Sequence, residues 1–123
     1  MFNDSIVLVT GGTGSFGKAF IGQLFNQWSP KKVVVYSRDE LKQYEMREEL
    51  PQSNLRFLIG DVREQERLAL AMKGVDYVVH AAALKQVPTG EYNPMECVKT
   101  NIHGAENVVQ AALANGVKRV VAL

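Results

Sequence analysis

Thr10-Gly11-Gly12-Thr13-Gly14-Ser15-Phe16-Gly17 is the stretch that decides the fold of this chain. A short apolar run, Ile6-Val7-Leu8-Val9, leads into it, and beyond it apolar residues recur at helical spacing: Phe16, Phe20, Leu24 and Trp28. A strand, a glycine-rich turn and a helix in that order form the context of a phosphate-binding loop. Gly11 is free to take positive φ in the tight turn. Gly14 has no Cβ, so a pyrophosphate can approach the main chain over the free N–H groups and positive end of the helix. Gly17 lets the helix lie close to the strand beneath it. Three glycines alone would suit a flexible turn equally well; the flanking strand and helix favour the phosphate. Gly11, Thr13, Gly14, Ser15, Phe16 and Gly17 are therefore the expected cofactor contacts of the loop.

The rest of the composition narrows the class. A chain of 123 residues suits one domain and buries about two-thirds of its unfolded surface. Hydrophobic residues make up 46% and charged residues 22%, as in ordinary soluble domains. The net charge of +1 gives no reason to expect nucleic acid or an anionic membrane as partner. The single cysteine, Cys97, permits no internal disulfide, which suits a reducing cytoplasm. No run approaches the about 20 apolar residues of a membrane span. Met1-Phe2-Asn3-Asp4 lacks the basic and then apolar regions of a signal peptide. No histidine or cysteine cluster has metal-site spacing.

Strand and helix patterns alternate along the chain. Strands are expected over 5–9, 32–36, 55–59, 76–80 and 119–123, and helices over 15–28, 39–50 and 64–73. Gly74 is the expected C-terminal cap of the third helix. A fourth helix is marked by Met95, Val98, Ile102, Ala105, Val109 and Ala112 at alternating steps of three and four, and Gly116 ends it. Helices of this length between strands require right-handed crossovers, and hence a parallel sheet covered on both faces. The fold class is α/β, a Rossmann-type doubly wound sheet of expected order 3-2-1-4-5, with the ligand at the carboxyl ends of strands 1 and 4.

The second strand argues which nucleotide binds. An NAD site usually places Asp or Glu about 20 residues after the glycine turn, to hold the ribose 2′-hydroxyl. That count from Gly17 reaches Ser37, followed by Arg38, with Lys42 one helical turn further. A guanidinium pairs well with phosphate and Ser37 can donate a further bond, so the pattern favours NADP. The alternative leaves Arg38 and Lys42 as solvated charges, with Asp39 or Glu40 on a 2′-hydroxyl. Asp39 also suits an N-cap. After the third strand, Asp61 is placed to accept from an adenine amino group and the Val62 amide to donate to the ring, or Asp61 caps the next helix; the roles are compatible. Ala81-Ala82-Ala83 would let a cofactor lie close to the backbone, or simply pack. His80 reads as a satisfied strand-end histidine.

These motifs, with Asn101-x-x-Gly104, resemble the extended short-chain dehydrogenase/reductase superfamily. Tyr36-Ser37-Arg38-Asp39-Glu40-Leu41-Lys42-Gln43-Tyr44, Ala83-Leu84-Lys85-Gln86-Val87-Pro88 and Glu91-Tyr92-Asn93-Pro94 leading into Lys99-Thr100-Asn101 are narrower. They resemble the inverting UDP-N-acetylglucosamine 4,6-dehydratases of nucleotide-sugar metabolism, including capsule and pseudaminic acid enzymes. The resemblance covers essentially the whole chain. It implies that Ser37, Arg38 and Lys42 match the contacts to the NADP 2′-phosphate, and that Lys85 matches a lysine beside both cofactor and sugar nucleotide. It further implies UDP-N-acetylglucosamine as substrate of the complete enzyme, a cytoplasmic location and a homo-oligomer.

The chain departs from the family pattern at its end. Members continue with a Ser/Thr-Thr-Asp-Lys segment, a Tyr-x-x-x-Lys pair and a sugar-nucleotide domain, whereas this chain stops at Val120-Val121-Ala122-Leu123. Tyr36, Tyr44, Tyr77 and Tyr92 are followed four residues on by Glu40, Glu48, Ala81 and Glu96. No catalytic residue is therefore assigned within it, and the expectation is a cofactor-binding half, inactive alone. The alternatives are a fragment of a 4-epimerase or other extended reductase, and a non-catalytic NADP-binding sensor module.

Overall fold

The computed structural model describes residues 1–82 and 94–122, and of 94 and 96–100 the backbone alone. Ala83, Lys85 and the remainder of the 83–93 segment, and Leu123, lie outside the described residues.

Five short apolar runs become five parallel strands: β1 (Ile6–Thr10), β2 (Lys32–Ser37), β3 (Leu55–Ile59), β4 (Tyr77–His80) and β5 (Arg119–Ala122). Their order is β3-β2-β1-β4-β5, the order expected of a Rossmann-type sheet. Between them run α1 (Ser15–Gln27), α2 (Glu40–Glu49), α3 (Gln65–Ala71) and α4 (Pro94–Ala114). The register sets Thr10 beside both Tyr36 and His80, so the three central strands end at one level.

Alternation along each strand divides the core in two. Val7, Val9, Val33 and Val35 pack with Ile21 and Leu24 of α1 and Met46 of α2. Leu8, Val34, Tyr36 and Val78 face the other way, against Leu68 of α3 and Val108, Ala111 and Ala112 of α4. Both faces of the central strands are thus covered, which is why those runs are apolar throughout rather than alternating.

The apolar spacing marks α4 as a helix, but those residues are not all on its buried face. Met95, Ile102 and Val109 are largely exposed, whereas Gly104, Val108, Ala111 and Ala112 are buried. The cause is close approach: a Cβ on Gly104 would stand 2.8 Å from Val62 Cγ2, so small residues take the contact. The helix ends in a Schellman turn, with Val117 N–H donating to the Ala112 carbonyl at 3.0 Å and Gly116 at a φ of 67°. Gly74 sits in the turn after α3, two residues beyond the cap at Met72.

Candidate functional site

The winding reverses between β1 and β4, and a cleft of about 300 Å³ opens above their carboxyl ends. That volume is at the lower end for small-molecule sites.

The glycine loop forms its floor. Gly11 has a φ of 65°, donates its N–H to the Tyr36 carbonyl at 2.9 Å and lies against the segment that leaves β4: a Cβ there would stand 2.8 Å from Ala82 Cα. Gly14 is the N-cap of α1 with no side-chain cap, and the first turn carries no acid. A Cβ on Gly14 would meet only the Gly11 carbonyl, at 3.4 Å, so the main chain is open to the cleft. The amides of that turn and the positive end of the helix suit a phosphate. Gly17 is tight against the loop itself. A Cβ there would stand 2.5 Å from Gly12 Cα, so the missing side chain lets the first turn of the helix close on the loop that leaves β1.

Thr10 fixes the opposite wall. Its Oγ1 accepts from the amides of Ala81 and Ala82 at 3.1 and 3.3 Å and lies 2.7 Å from His80 Nδ1. With both lone pairs so used, the hydroxyl donates to Nδ1, which places the His80 proton on Nε2. Burial holds His80 below its ordinary pKa. It is the satisfied strand-end histidine the sequence suggests.

The outer end is built by β2 and the turn after β3. Ser37, Arg38, Asp39 and Lys42 all line the cleft. Asp39 Oδ1 accepts the Lys42 N–H at 3.0 Å, so the N-cap role is observed. Asp61 Oδ1 accepts the Arg63 amide at 2.9 Å, while Oδ2 takes Arg63 Nη2 at 2.7 Å and Nε at 3.0 Å, with Arg38 Nη1 3.7 Å away. Hydrogen bonds from the Arg63 side chain, more than any other cause, hold the Asp61 carboxyl below its usual range, and the pair raises Arg63 in turn. The Asp61 carboxylate closes a turn onto Arg63 and makes no bond to the amides of α3, whose N-cap is Glu64.

Tyr36 supports this turn from below. Its hydroxyl donates to the Asp61 carbonyl at 2.9 Å, and Gly60 packs against the hydroxyl end of its ring, where a Cβ would come within 2.4 Å. Burial is the main reason its pKa is pushed up to about 12. Asn107 of α4 donates to the Val62 carbonyl at 3.0 Å.

Residues 7–123 match the family of polysaccharide biosynthesis proteins. The chain belongs to this family. Across its whole length this polysaccharide biosynthesis protein is 57% identical to UDP-N-acetylglucosamine 4,6-dehydratase (inverting) of Campylobacter jejuni, spanning 37% of that relative. It is 52% identical over 126 residues to UDP-glucose 4-epimerase of Rickettsia bellii, again covering 37% of it. Among solved structures it is similar to the dTDP-glucose 4,6-dehydratase DesIV of Streptomyces venezuelae, which holds NAD and TYD. The TM-score is 0.80 at 30% identity, over 94% of this chain and 38% of that one.

Of the loop and strand-end residues singled out from sequence, the structure brings Gly11, Thr13, Gly14, Ser37, Arg38, Lys42, Asp61, Val62, Ala81 and Ala82 to one cleft. Ser15, Phe16 and Gly17 do not line it; Phe16 is half exposed and stacks on Phe20 at 6.3 Å between ring centroids. Lys85 is outside the described residues. Sequence reasoning did not single out Tyr36, Gly60 or Arg63 as parts of the site, although Arg63 stands in the very stretch that yielded Asp61 and Val62.

Proposed function

We propose that this chain is the NADP-binding part of a nucleotide-sugar dehydratase acting on UDP-N-acetylglucosamine. The observation that carries the cofactor reading is the end of β2. There Ser37, Arg38 and Lys42 line the cleft, while of the two carboxylates that could hold a 2′-hydroxyl Glu40 does not line it and Asp39 accepts the Lys42 amide through Oδ1. Arg38, 57% exposed and paired only loosely with Asp61 at 3.7 Å, can swing onto a phosphate. The open main chain at Gly14 fits the pyrophosphate, and the small side chains of Ala81 and Ala82 fit a flat ring system. The bound dinucleotide supplies a hydride acceptor. This chain's residues bind and orient it: the α1 amides hold phosphate, the 60–63 turn frames the adenine, and Thr10 fixes the wall at Ala81. Sequence identity to the Campylobacter relative supports the substrate class and the dehydratase chemistry.

None of the four tyrosines of this chain has lysine four residues on. The proton transfers of such a reaction, typically worth about 10²–10⁴-fold, therefore fall to groups outside this sequence, and the chain alone is proposed to bind without turnover. A cytoplasmic, homo-oligomeric enzyme completes this reading. Identity to the Rickettsia relative favours a second one, a UDP-sugar 4-epimerase.

Mass spectrometry of UDP-N-acetylglucosamine incubated with NADP⁺ decides between them. The chain extended to the length of its relatives should yield a product lighter by one water, and the 123-residue chain none. An epimerase leaves the mass unchanged. Turnover by the short chain would overturn the assignment of chemistry to groups beyond it.

A further inference from the structure

Ser37 reaches the cleft from the end of β2, and behind it lies Gln43 of α2, which is only 4% exposed. Gln43 Nε2 is 3.0 Å from the Leu58 carbonyl, 2.8 Å from Ser37 Oγ and 3.4 Å from the Ser37 carbonyl. A main-chain carbonyl only accepts, so the atom facing Leu58 is the nitrogen, and the orientation of the amide follows from chemistry. An amide nitrogen only donates, so Ser37 Oγ is the acceptor of the 2.8 Å bond. The serine proton must then go elsewhere. Among the described residues Ser37 Oγ makes no other hydrogen bond. The remaining direction is the cleft.

We infer that Gln43 is a positioning residue for cofactor selection. By donating to Ser37 Oγ it turns the Ser37 hydroxyl into a donor aimed at the cleft, where it serves an anionic acceptor. This rests on the proposed NADP reading, in which the acceptor is the 2′-phosphate. Gln43 itself does not line the cleft; it acts through Ser37. Its three contacts join the end of β2, the edge strand β3 and α2, so the same side chain that ties these elements together also sets the direction of the serine proton. A purely architectural amide would affect every ligand alike. A positioning amide affects the phosphorylated ribose selectively.

The test is titration of the complete protein with NADP⁺ and with NAD⁺ in four forms: parent, Gln43→Met, Ser37→Ala and the double variant. A hydrogen bond to a charged group implies that Gln43→Met weakens NADP⁺ by about tenfold and NAD⁺ by less than about threefold. In the Ser37→Ala background the same change should cost NADP⁺ nothing further. Equal losses for both cofactors, or an undiminished loss in the Ser37→Ala background, would overturn the inference while leaving the NADP reading intact. A parent that binds both cofactors equally would overturn the NADP reading and the inference with it. If the methionine variant does not fold, Gln43→Glu keeps the volume but offers an acceptor to Ser37. Its selective loss must likewise vanish with Ser37→Ala, whereas simple charge repulsion would persist.

Discussion

Asp61 sits between two guanidiniums, Arg63 at 2.7 Å and Arg38 at 3.7 Å, and the difference sets their roles. Arg63 satisfies the carboxylate with a side-chain pair and its own amide, which leaves Arg38 loosely held and able to leave for a stronger anion. Arg38→Ala should weaken NADP⁺ by about 1.5–3 kcal/mol, the range for a hydrogen bond to a charged group, and NAD⁺ far less. Titration with both cofactors checks it, and equal losses would remove Arg38 from the 2′-phosphate. His80 gives a second test, of pH. Burial depresses its pKa, so the unfolded chain takes up a proton before the folded one does. Its contribution to stability is therefore complete above the ordinary value of 6.5 and lost as pH falls from there through the folded value. Protonation would also put a hydrogen on Nδ1, against the Thr10 hydroxyl that holds Ala81 and Ala82. Thermal midpoints should decline from about pH 7 to pH 5, and His80→Asn should flatten that limb. A parent midpoint constant across the window would contradict the buried neutral histidine.

The turn after β3 is the element on which the outer half of the cleft depends, and glycine makes it possible. Gly60→Ala would drive a methyl into the Tyr36 ring, whose atoms stand 2.4 Å from the new Cβ. The ring is packed in the core and cannot swing aside, so the substitution should cost about 1–3 kcal/mol, as overpacking does. Urea unfolding measures it; a cost near zero would mean the turn can move off the ring. This dependence shows what sequence can and cannot disclose. The glycine loop, the five apolar runs and the polar end of β2 are local patterns, and each was legible because neighbours in sequence are neighbours in the structure. Gly60 against Tyr36, Gln43 behind Ser37 and Gly104 against Val62 are contacts between elements, and no local period marks them. The same limit explains α4. Its larger apolar residues mark a helix correctly, yet the face turned to the core is the one with small side chains, because Val62 lies so near.

At the scale of the whole molecule the sheet has two outer strands, and both carry apolar residues into solvent. Among the described residues β3 pairs with β2 alone and β5 with β4 alone. Leu58 and Ile59 of β3 are 38% and 40% exposed, and Val121 of β5 is 50% exposed. An unpaired edge offers a row of N–H and C=O groups to any passing strand, and charged side chains or coverage are the usual protection. Arg119 charges the start of β5, but Val120, Val121 and Ala122 leave the rest unguarded. The relatives are longer, this chain spanning 37% of the Campylobacter protein, so they have chain available to cover such an edge. The 123-residue chain by itself should therefore self-associate as its concentration rises. Sedimentation velocity over a hundredfold range, about 1 to 100 μM, the concentrations at which exposed edges aggregate, gives the measurement. Val121→Lys, which places a charge on the β5 edge, should shift the distribution toward monomer, while a lysine at the exposed Leu113 of α4 should leave it largely unchanged. A parent that sediments as a clean monomer throughout would show that the β5 edge is not sticky; the reverse ranking of the two lysine variants would move the contact from the sheet edge to α4.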